Sequence, residues 1–444
     1  MQLKNLHTQQ ELQRRSLAAV WHPCTQMARA AVVPPLPIAR GEGPWLFDYE
    51  GRRYFDANSS WWVNLFGHSD EGIKDAIKRQ LDTLAHVMLA GCTHAPAVEL
   101  AEKLSALTGG ALGHTFFASD GASAVEIALK MSFHSWRNRG LDTKREFVCL
   151  RHGYHGETIG ALAVTDVAVF RDAYAPLLMP SHVVESPDSR LGADSEARAL
   201  AALRGVLEAR RGHVAALIIE PLVQCAAGMV MHEPSYLRAV RALCDEFEVH
   251  LIADEIAVGC GRTGTFFAFE QAQAGWPDFV TLSKGISGGT LPLSLVLTTE
   301  AVFQSFWSDE VARGFLHSHS YTGNALACAA ANAVLDRFAS QQVLEKNRMQ
   351  ARWLADAFAP LQRDARVEHL RQRGMILAFD VRPELVGGRF AERFHLAARE
   401  HEVLIRPIGR TVYLMPPYLV DEATARFLAD AVTQTLNEVL AHAA

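Results

Sequence analysis

Two stretches of the sequence decide the fold: Val249-His-Leu-Ile-Ala-Asp254-Glu and, thirty residues further along, Phe279-Val-Thr-Leu-Ser-Lys284-Gly-Ile-Ser-Gly-Gly. Each begins with a short apolar run that is typical of a buried strand. Each run ends in one functional group, the carboxylate of Asp254 or the amine of Lys284. Open parallel sheets build ligand sites at the carboxyl ends of their strands. The sequence therefore predicts a parallel sheet with these two side chains at the same edge.

A neighbouring aspartate and lysine suit the cofactor pyridoxal phosphate. The amine forms a Schiff base with the cofactor, and the carboxylate keeps the pyridine nitrogen protonated so that the ring withdraws electrons. Taken alone, either residue is more simply interpreted as a solvated polar residue. The glycines after Lys284 strengthen the catalytic interpretation, because they let backbone and cofactor approach closely.

Buried strands alternate with amphipathic helices between His114 and Glu300, a pattern that predicts an α/β fold with a mostly parallel, helix-flanked sheet. The candidate strands are 115–118, 146–150, 214–220, 250–254, 279–283 and 293–298. Candidate helices are 71–86, 97–107 and 123–136. The later candidates are strands 375–380, 403–407 and 411–415, followed by a long helix from Asp421. We expect an N-terminal segment (1–66) that contributes to a small domain, a large cofactor-binding domain (67–334) and a C-terminal small α+β domain (335–444).

Composition narrows the class of protein. The 444 residues are too many for one ordinary core. With 43 basic and 49 acidic residues the net charge is −6, and no basic tract resembles a nucleic-acid surface. No apolar run reaches the roughly 20 residues of a membrane span, and the polar first residues lack a signal-peptide core. The seven scattered cysteines suit a reducing compartment, so we expect a cytoplasmic protein with no membrane partner.

Two further segments follow strand ends. Ser119-Asp-Gly121-Ala122-Ser123 opens a helix, and a small-residue turn at a helix N-terminus suits a phosphate, although an ordinary helix cap gives the same pattern. Arg151-His-Gly-Tyr154-His155-Gly supplies an aromatic ring that could lie on a cofactor. No acidic or cysteine partner stands at ligand spacing from its two histidines, so we expect no metal.

Three other features have alternative interpretations. Gly259-Cys-Gly-Arg262-Thr-Gly matches the dinucleotide-binding fingerprint but lacks a clear strand before it and helix after it, so we interpret it as a loop. Trp61 stands in a polar loop and could wall a pocket or fill a core. Arg406 follows an apolar strand and could hold a carboxylate bidentately or form a surface ion pair.

Over nearly its whole length the sequence resembles the class III aminotransferases, which are fold type I pyridoxal-phosphate-dependent transferases. The general marks are Leu251-Ile-Ala-Asp254-Glu255-Ile and Ser283-Lys284-Gly285. More specific blocks, in the same order, are Trp21-His-Pro-Cys-Thr-Gln-Met, Ser59-Ser-Trp-Trp62, Thr93-His-Ala-Pro-Ala-Val-Glu-Leu, His317-Ser-His-Ser-Tyr-Thr-Gly-Asn324 and Ile405-Arg-Pro-Ile-Gly-Arg-Thr-Val-Tyr-Leu-Met-Pro-Pro-Tyr418. These blocks resemble most the subfamily that aminates 8-amino-7-oxononanoate in biotin biosynthesis.

The resemblance implies a large domain with a mostly parallel seven-stranded sheet, a smaller α+β domain and a homodimer with sites at its interface. It also implies a role for each matched residue. Those in the cofactor site are Lys284 (Schiff base and proton carrier), Asp254 (pyridine nitrogen), Tyr154 (ring stacking and substrate), Gly121 and Ala122 (phosphate), and Ser320 (phosphate, from the neighbouring subunit). Those that contact substrate are Trp61, Tyr154, Lys284, Ser318 and Arg406, the last through the oxononanoate carboxylate.

The sequence departs from the family at Cys24, where an aromatic residue is usual. It also departs at Ala122, which lacks a hydroxyl that some relatives offer the phosphate, and around Ser318. The implied reaction converts 8-amino-7-oxononanoate to 7,8-diaminononanoate, with S-adenosyl-L-methionine or lysine as the amino donor. Two alternatives stay open: a class III aminotransferase for an ω-amino acid or diamine, and a nicotinamide-dependent oxidoreductase built on Gly259-x-Gly-x-x-Gly.

Overall fold

The structure, a computed structural model, describes residues 8–192 and 194–441. The first seven residues, on which the expectation about a signal peptide partly rests, lie outside this range. The described strands are β1 (Ile38–Glu42), β2 (Trp45–Asp48), β3 (Arg53–Asp56), β4 (His114–Ala118), β5 (Glu146–Leu150), β6 (His182–Val184), β7 (Val214–Ile219), β8 (Val223–Gln224), β9 (Val230–Met231), β10 (His250–Asp254), β11 (Phe279–Leu282), β12 (Ser294–Thr298), β13 (Val367–Arg373), β14 (Ile376–Val381), β15 (Val403–Leu404) and β16 (Thr411–Leu414).

The described α-helical segments range from one turn to twenty residues. They are α1 (Gln9–Ala19), α2 (Ser59–Trp62), α3 (Glu71–Leu81), α4 (Ala95–Leu107), α5 (Gly121–Asn138), α6 (Ile159–Ala163), α7 (Ala168–Arg171), α8 (Asp194–Ala209), α9 (Pro234–Glu246), α10 (Glu300–Gln304), α11 (Ala325–Ser340), α12 (Val343–Phe358), α13 (Phe390–Glu400) and α14 (Glu422–Ala441). None of these helices is both long enough and apolar enough to cross a membrane, as far as the described residues extend.

The main sheet has seven strands in the order β4-β12-β11-β10-β7-β5-β6. Strand β12 runs antiparallel to both of its neighbours, and the other recorded pairings in this sheet are parallel. This confirms the predicted α/β fold with a mostly parallel seven-stranded sheet. All the residues of β7 and β10 are buried, as expected for strands that are covered on both faces.

Helix α5 packs against the seven-stranded sheet and helps to bury it. It begins after Asp120, whose side chain accepts a hydrogen bond from the Ser123 N–H, an N-cap that satisfies one of the free donors of the first turn. Its apolar residues join those of the sheet in one core. The buried residues that α5 contributes to that core are Ala124, Val125, Ile127, Ala128, Leu129, Met131 and Trp136.

The chain divides into two compact units. One contains Glu71–Met349 and Arg371–Ile376, and it includes the seven-stranded sheet. The other contains the described chain up to Asp70, Gln350–Leu370 and the chain from Leu377 onward. In this second unit β1, β2 and β3 form an antiparallel meander, and β15 pairs with β3 in parallel.

Hydrogen bonds to side chains accompany the points where two elements end earlier than predicted. The helix predicted over 71–86 ends at Leu81, because the hydroxyl of Thr83 donates to the carbonyls of Arg79 and Gln80. The strand predicted over 403–407 ends at Leu404, and just beyond it the Arg406 N–H donates to the side chain of Asn58 and not to a neighbouring strand.

Candidate active site

Asp254 ends strand β10 as a buried carboxylate with several donors around it. Its Oδ2 accepts a hydrogen bond from Nδ1 of His155 at 2.7 Å. Its Oδ1 accepts bonds from the Ile256 N–H at 3.1 Å and the Thr281 hydroxyl at 3.2 Å. These bonds fix the orientation of the carboxyl group, whose oxygens can also accept a hydrogen bond from a protonated ring nitrogen.

Lys284 follows strand β11 with its backbone in the left-handed region, at a φ of 45°. Burial lowers the pKa of its ammonium, while the charges of Cys225, Asp254 and Glu220 act in the opposite direction. A lysine with a lowered pKa is more often a neutral amine and therefore a better nucleophile. The structure thus places the predicted lysine and aspartate in one electrostatic cluster.

Glu220 adds a second buried carboxyl group to this cluster, directly after strand β7. Burial raises its pKa to about 7; the charge of His155 opposes this rise, and the charge of Asp254 adds to it. Its two oxygens accept hydrogen bonds from the backbone N–H groups of Tyr154 and Cys225, both at 3.0 Å. Glu220 therefore holds the loop after β5 against the site.

The start of helix α5 reaches the same place. A Cβ on Gly121 would lie 3.0 Å from Cδ1 of Ile256, two residues after Asp254. A Cβ on Gly156 would lie 2.5 Å from Cβ of Ala122, and Gly156 has a φ of +121°. Only glycine fits this approach, so it brings the loop that carries Tyr154 against the N-terminus of α5. The N–H groups and dipole there can hold a phosphate.

Tyr154 is partly buried in this cluster. Its hydroxyl donates to Glu157 at 3.0 Å, and its ring centroid lies 5.3 Å from that of Phe170. Neighbouring His152 is exposed, whereas His155 is buried and bonds Asp254 through Nδ1, so the two histidines have different surroundings.

Ser318 and Ser320 are not brought to the Lys284 cluster within the described chain. Both are exposed, and the recorded contact of Ser320 is its carbonyl, which accepts a hydrogen bond from His86 at 2.8 Å. The family resemblance implies that Ser320 contacts the site of a neighbouring subunit, and its exposure leaves the hydroxyl accessible to one.

Trp61 and Arg406 lie together in the other unit. They line a cavity of about 600 Å³, which Cys24 also lines. Trp61 is 48% exposed, and the Arg406 guanidinium carbon lies 5.7 Å from its ring centroid, a cation–π distance. The walls of the cavity include aliphatic side chains, among them Leu17, Val33, Leu36, Ile38 and Leu404. The cavity suits an apolar chain that ends in a negative charge.

Trp61 stands in a left-handed helical turn. All four residues of Ser59–Trp62 have positive φ values between 47° and 73°. A left-handed residue costs roughly 1–2 kcal/mol, so such a turn persists only where its surroundings impose it. Here Asp56 accepts bonds from the Ser60 N–H at 2.8 Å and the Ser60 hydroxyl at 2.7 Å.

Bonds to strand β16 and the segment after it complete the turn. The side-chain amide of Asn58 donates to the Tyr413 carbonyl, and the Trp62 ring N–H donates to the Tyr413 hydroxyl, both at 3.0 Å. The Ser59 hydroxyl donates to the Met415 carbonyl at 2.7 Å. Asn58 also accepts a bond from the Arg406 N–H at 2.7 Å. The same polar residues thus hold both Trp61 and Arg406.

Several of these residues were not singled out from the sequence. His155 was considered only as a metal ligand, and Glu220, Asp56 and Tyr413 were not considered. The position of Glu220 after an apolar strand could have identified it. The sequence around Asp56 and Tyr413 does not identify them as site residues, because the fold brings their hydrogen-bond partners to them from distant parts of the chain.

The glycine segment 259–264 forms turns, and no helix follows it directly. The 3₁₀ helix Ala268–Ala272 begins four residues later. Arg262 is among the most deeply buried side chains and lies within electrostatic reach of Cys225. This geometry differs from the strand–turn–helix arrangement of dinucleotide-binding folds.

Sequence comparison identifies the family. The family described as aminotransferase class-III matches residues 26–436. The chain belongs to the class-III aminotransferase family. This confirms the resemblance that the sequence motifs indicated and the prediction of an aminotransferase.

Class-III relatives match the chain end to end. The adenosylmethionine-8-amino-7-oxononanoate aminotransferase of Helicobacter pylori is 41% identical, covering 98% of this chain and 99% of its own. The enzyme of that name from Geobacter sulfurreducens is 37% identical, covering 95% and 96%. The crystal structure of the Methanocaldococcus jannaschii enzyme of that name is 33% identical with a TM-score of 0.92, covering 97% and 99%. An (S)-enantioselective omega-transaminase from Thermomicrobium roseum is 29% identical, also with a TM-score of 0.92, covering 98% and 99%.

Class-III aminotransferases depend on pyridoxal phosphate, as the sequence predicted. The residues present fit this cofactor. Asp254 receives three hydrogen bonds as a carboxylate, Lys284 has a lowered pKa, and the start of α5 offers N–H groups beside the Tyr154 loop. These complement the cofactor's ring nitrogen, aldehyde and phosphate in turn.

Proposed function

We propose that this chain converts 8-amino-7-oxononanoate to 7,8-diaminononanoate, a step of biotin biosynthesis. The observation that carries the proposal is the cavity lined by Trp61 and Arg406. Its aliphatic walls and arginine suit an acceptor that consists of a hydrocarbon chain with a terminal carboxylate. The end-to-end similarity to enzymes named for this acceptor supports the same reaction.

The cofactor residues follow from the cluster in the larger unit. Bound pyridoxal phosphate supplies an aldehyde that carries the amino group and a ring that withdraws electrons. In the proposal, Lys284 attaches the cofactor and moves a proton with its Nζ, and Asp254 holds the proton on the ring nitrogen. Tyr154 lies against the ring, and Gly121 and Ala122 bind the phosphate through their N–H groups.

The substrate residues are proposed from the cavity and its surroundings. Arg406 binds the carboxylate of the acceptor and so fixes the position of its ketone, while the Trp61 ring covers the aliphatic chain. Ser318 contacts the substrate through its backbone. A residue with the size of Cys24 leaves more room in this cavity than an aromatic ring would.

The proposal also includes the assembly, the donor and the compartment. The chain forms a cytoplasmic homodimer, in which Ser320 of one subunit binds the phosphate at the site of the other. S-adenosyl-L-methionine is the amino donor, in keeping with the names of the relatives.

The first experiment runs the reaction backward and so does not require the donor. The purified protein is expected to be yellow, and titration with 7,8-diaminononanoate should deplete its visible absorption band. Lys284→Ala should fold and retain part of the cofactor but show no such turnover, because the amine that attaches the cofactor and moves the proton is gone. The measurement is the absorbance spectrum at each concentration.

The outcome also tests the wider family. A yellow protein that ignores 7,8-diaminononanoate but responds to an ω-amino acid such as β-alanine would contradict the proposal. It would instead favour the omega-transaminase activity named for the Thermomicrobium relative. A colourless protein that binds a nicotinamide cofactor would contradict both.

A further inference from the structure

A second arginine lines the Trp61 cavity and has no role in the proposal so far. Arg399 lies on α13 and reaches the same cavity as Arg406. Each arginine lies within electrostatic reach of the other, because the charge of Arg406 acts on the pKa of Arg399. The cavity therefore contains two positive groups that face one space.

The charges of the cavity do not balance. Among its described lining residues are Arg29, Arg399, Arg406 and one acid, Glu392. Glu392 is already ion-paired with Arg29. The arginines of the lining that this pair leaves are Arg399 and Arg406. Burial lowers the pKa of His395, another lining residue, to about 4 and keeps it neutral.

The acids nearest to Arg399 along the chain are engaged by other residues. Glu400 lies 3.6 Å from Arg52, and Glu402 lies 3.0 Å from Arg53. Within the described chain, no carboxylate lies at ion-pair distance from Arg399. Burial is the main cause that lowers the pKa of Arg399. The charges of Arg406 and Arg52 add to this effect, and those of Tyr54 and Glu400 oppose it only in part, so the pKa stays below its ordinary value. A guanidinium stays charged in proteins, so an anion that enters the cavity would relieve the cost.

The guanidinium is held in place by neutral partners. Nδ1 of His395 donates to the Ile405 carbonyl at 2.8 Å, which leaves Nε2 to accept from Nη2 of Arg399 at 2.6 Å. Nη1 of Arg399 donates to the Pro34 carbonyl at 3.3 Å. A guanidinium has five N–H groups, so these two bonds orient Arg399 and leave donors for a ligand. Since Ile405 precedes Arg406, one histidine positions both arginines.

We propose that Arg399 is a second carboxylate-binding residue of this cavity and that His395 is its positioning residue. Together with Arg406, Arg399 binds the terminal carboxylate of an aliphatic substrate. The identity of that substrate rests on the proposed function, whereas the preference of the cavity for a carboxylate does not.

The test compares an acid with its ester. The variants are Arg399→Gln, Arg406→Gln and, as a matched control, Arg393→Gln. Arg393 lies on the same helix, donates to the Val439 carbonyl and does not line the cavity. Each protein is titrated with 7,8-diaminononanoate and with its methyl ester, following the visible absorbance.

Arg399→Gln should raise the half-saturating concentration of the acid by about tenfold or more, in the range expected for a lost charge-assisted bond. The half-saturating concentration of the ester should change much less than that of the acid. Arg406→Gln should show the same selectivity, and Arg393→Gln should show none. Equal effects on acid and ester, or no effect of Arg399→Gln, would overturn the proposal, because a residue that only braces the Pro34 segment does not distinguish them.

A second measurement separates this inference from the proposed function. Heptanoate and heptanamide are titrated calorimetrically against the holoenzyme. If the wild type does not respond to 7,8-diaminononanoate, the proposed function fails, and heptanoate binding decides the inference by itself. Weaker heptanoate binding in Arg399→Gln than in Arg393→Gln supports it, and equal binding in both overturns it. Should Arg399→Gln fail to fold, Arg399→Lys keeps the charge without the fork and should bind heptanoate with intermediate strength.

Discussion

Asp254 and Glu220 are buried carboxyl groups whose charges interact in the cluster, yet their surroundings differ. Asp254 receives bonds from an imidazole, a hydroxyl and a backbone N–H. Glu220 receives two backbone bonds, and burial raises its pKa to about 7. Burial thus lets Glu220 hold a proton at a pH near 7, where an ordinary glutamate has lost it. A protonated Glu220 adds no negative charge to the cluster.

Burial also fixes the protonation of a histidine away from the site. His250 stacks on Trp136 with ring centroids 4.1 Å apart and bonds to the Ser132 hydroxyl at 2.9 Å. Burial lowers its pKa from the usual 6.5 to about 4. Below pH 6.5, His250 therefore binds a proton in the unfolded chain, whereas in the folded protein it stays neutral until the pH approaches 4. Stability from this residue is complete above that pH and falls as the pH drops toward 4.

We predict that His250→Phe makes the free energy of unfolding less sensitive to acid. Between pH 6.5 and 4.5 the wild type should lose up to about 1.4 kcal/mol per pH unit through this residue. The variant retains the stack on Trp136 but has no proton to gain. Urea denaturation midpoints at several pH values measure the effect. A variant with the same pH dependence as the wild type would show that His250 does not contribute it.

At the scale of elements, the left-handed turn Ser59–Trp62 is the least expected segment of the chain. Its four positive φ values conflict with the preference of L-residues, and two of the residues are bulky tryptophans. The carboxylate of Asp56 compensates by bonding Ser60 twice and His68 once. The left-handed conformation of the turn therefore depends on these hydrogen bonds.

We predict that Asp56→Ala releases this turn. Loss of these bonds to a buried carboxylate should cost about 2–4 kcal/mol of stability and should raise the half-saturating concentration of 7,8-diaminononanoate, because Trp61 loses its fixed position. Asp430→Ala, at an exposed site on α14 in the same unit, is the control. Urea midpoints and the absorbance titration measure the two effects. Unchanged substrate response in a destabilised Asp56→Ala protein would separate the turn from substrate binding.

The sequence predicted the regular elements of the larger unit well, because their signal is local. Strands β5 and β10 have the predicted bounds. Strand β11, which leads to Lys284, ends one residue earlier than predicted. The short strand β6 and the polar strand β13 were missed, since neither has an apolar run of ordinary length. Apolar periodicity reports burial, so elements that are short or half-exposed carry little of it.

The site was predicted less completely, for a physical reason. Asp254 and Lys284 could be identified because a strand end carries a functional group to a known edge of the sheet. The His155–Asp254 bond joins residues that are 99 positions apart, and the Asn58–Tyr413 bond joins residues 355 apart. Such partners are set by the packing of the whole chain, which a single sequence does not display.

At the scale of the whole molecule, apolar side chains are exposed on one segment of the larger unit. Trp307, Val311, Leu316 and Tyr321 are each 66–76% exposed, and Ser318 and Ser320 stand among them. Apolar groups clustered on a surface usually mark an interaction site. This segment is therefore a good candidate for the interface of the proposed homodimer, with Ser320 directed at the partner.

We predict that light scattering gives twice the chain mass for the wild type and a lower mass for Leu316→Asp, because a buried unpaired charge opposes association. The variant should also lose cofactor more readily, since Ser320 can no longer reach the partner's phosphate. Leu191→Asp, at a position that is 63% exposed elsewhere in the same unit, should remain a dimer. A monomeric wild type with normal cofactor retention would contradict the role proposed for Ser320.

The pairing of β3 with β15 has a consequence for how the protein is made. Phe55 lies opposite Val403 in the smaller unit, so its parallel ladder joins residues 348 positions apart. At about 5–20 residues per second, a ribosome needs roughly 20–70 s to make the chain between them. Throughout that time β3 lacks the strand that completes its parallel ladder. Newborn chains should therefore depend on chaperones until translation is nearly finished, and truncation near the C-terminus should damage the N-terminal strands first.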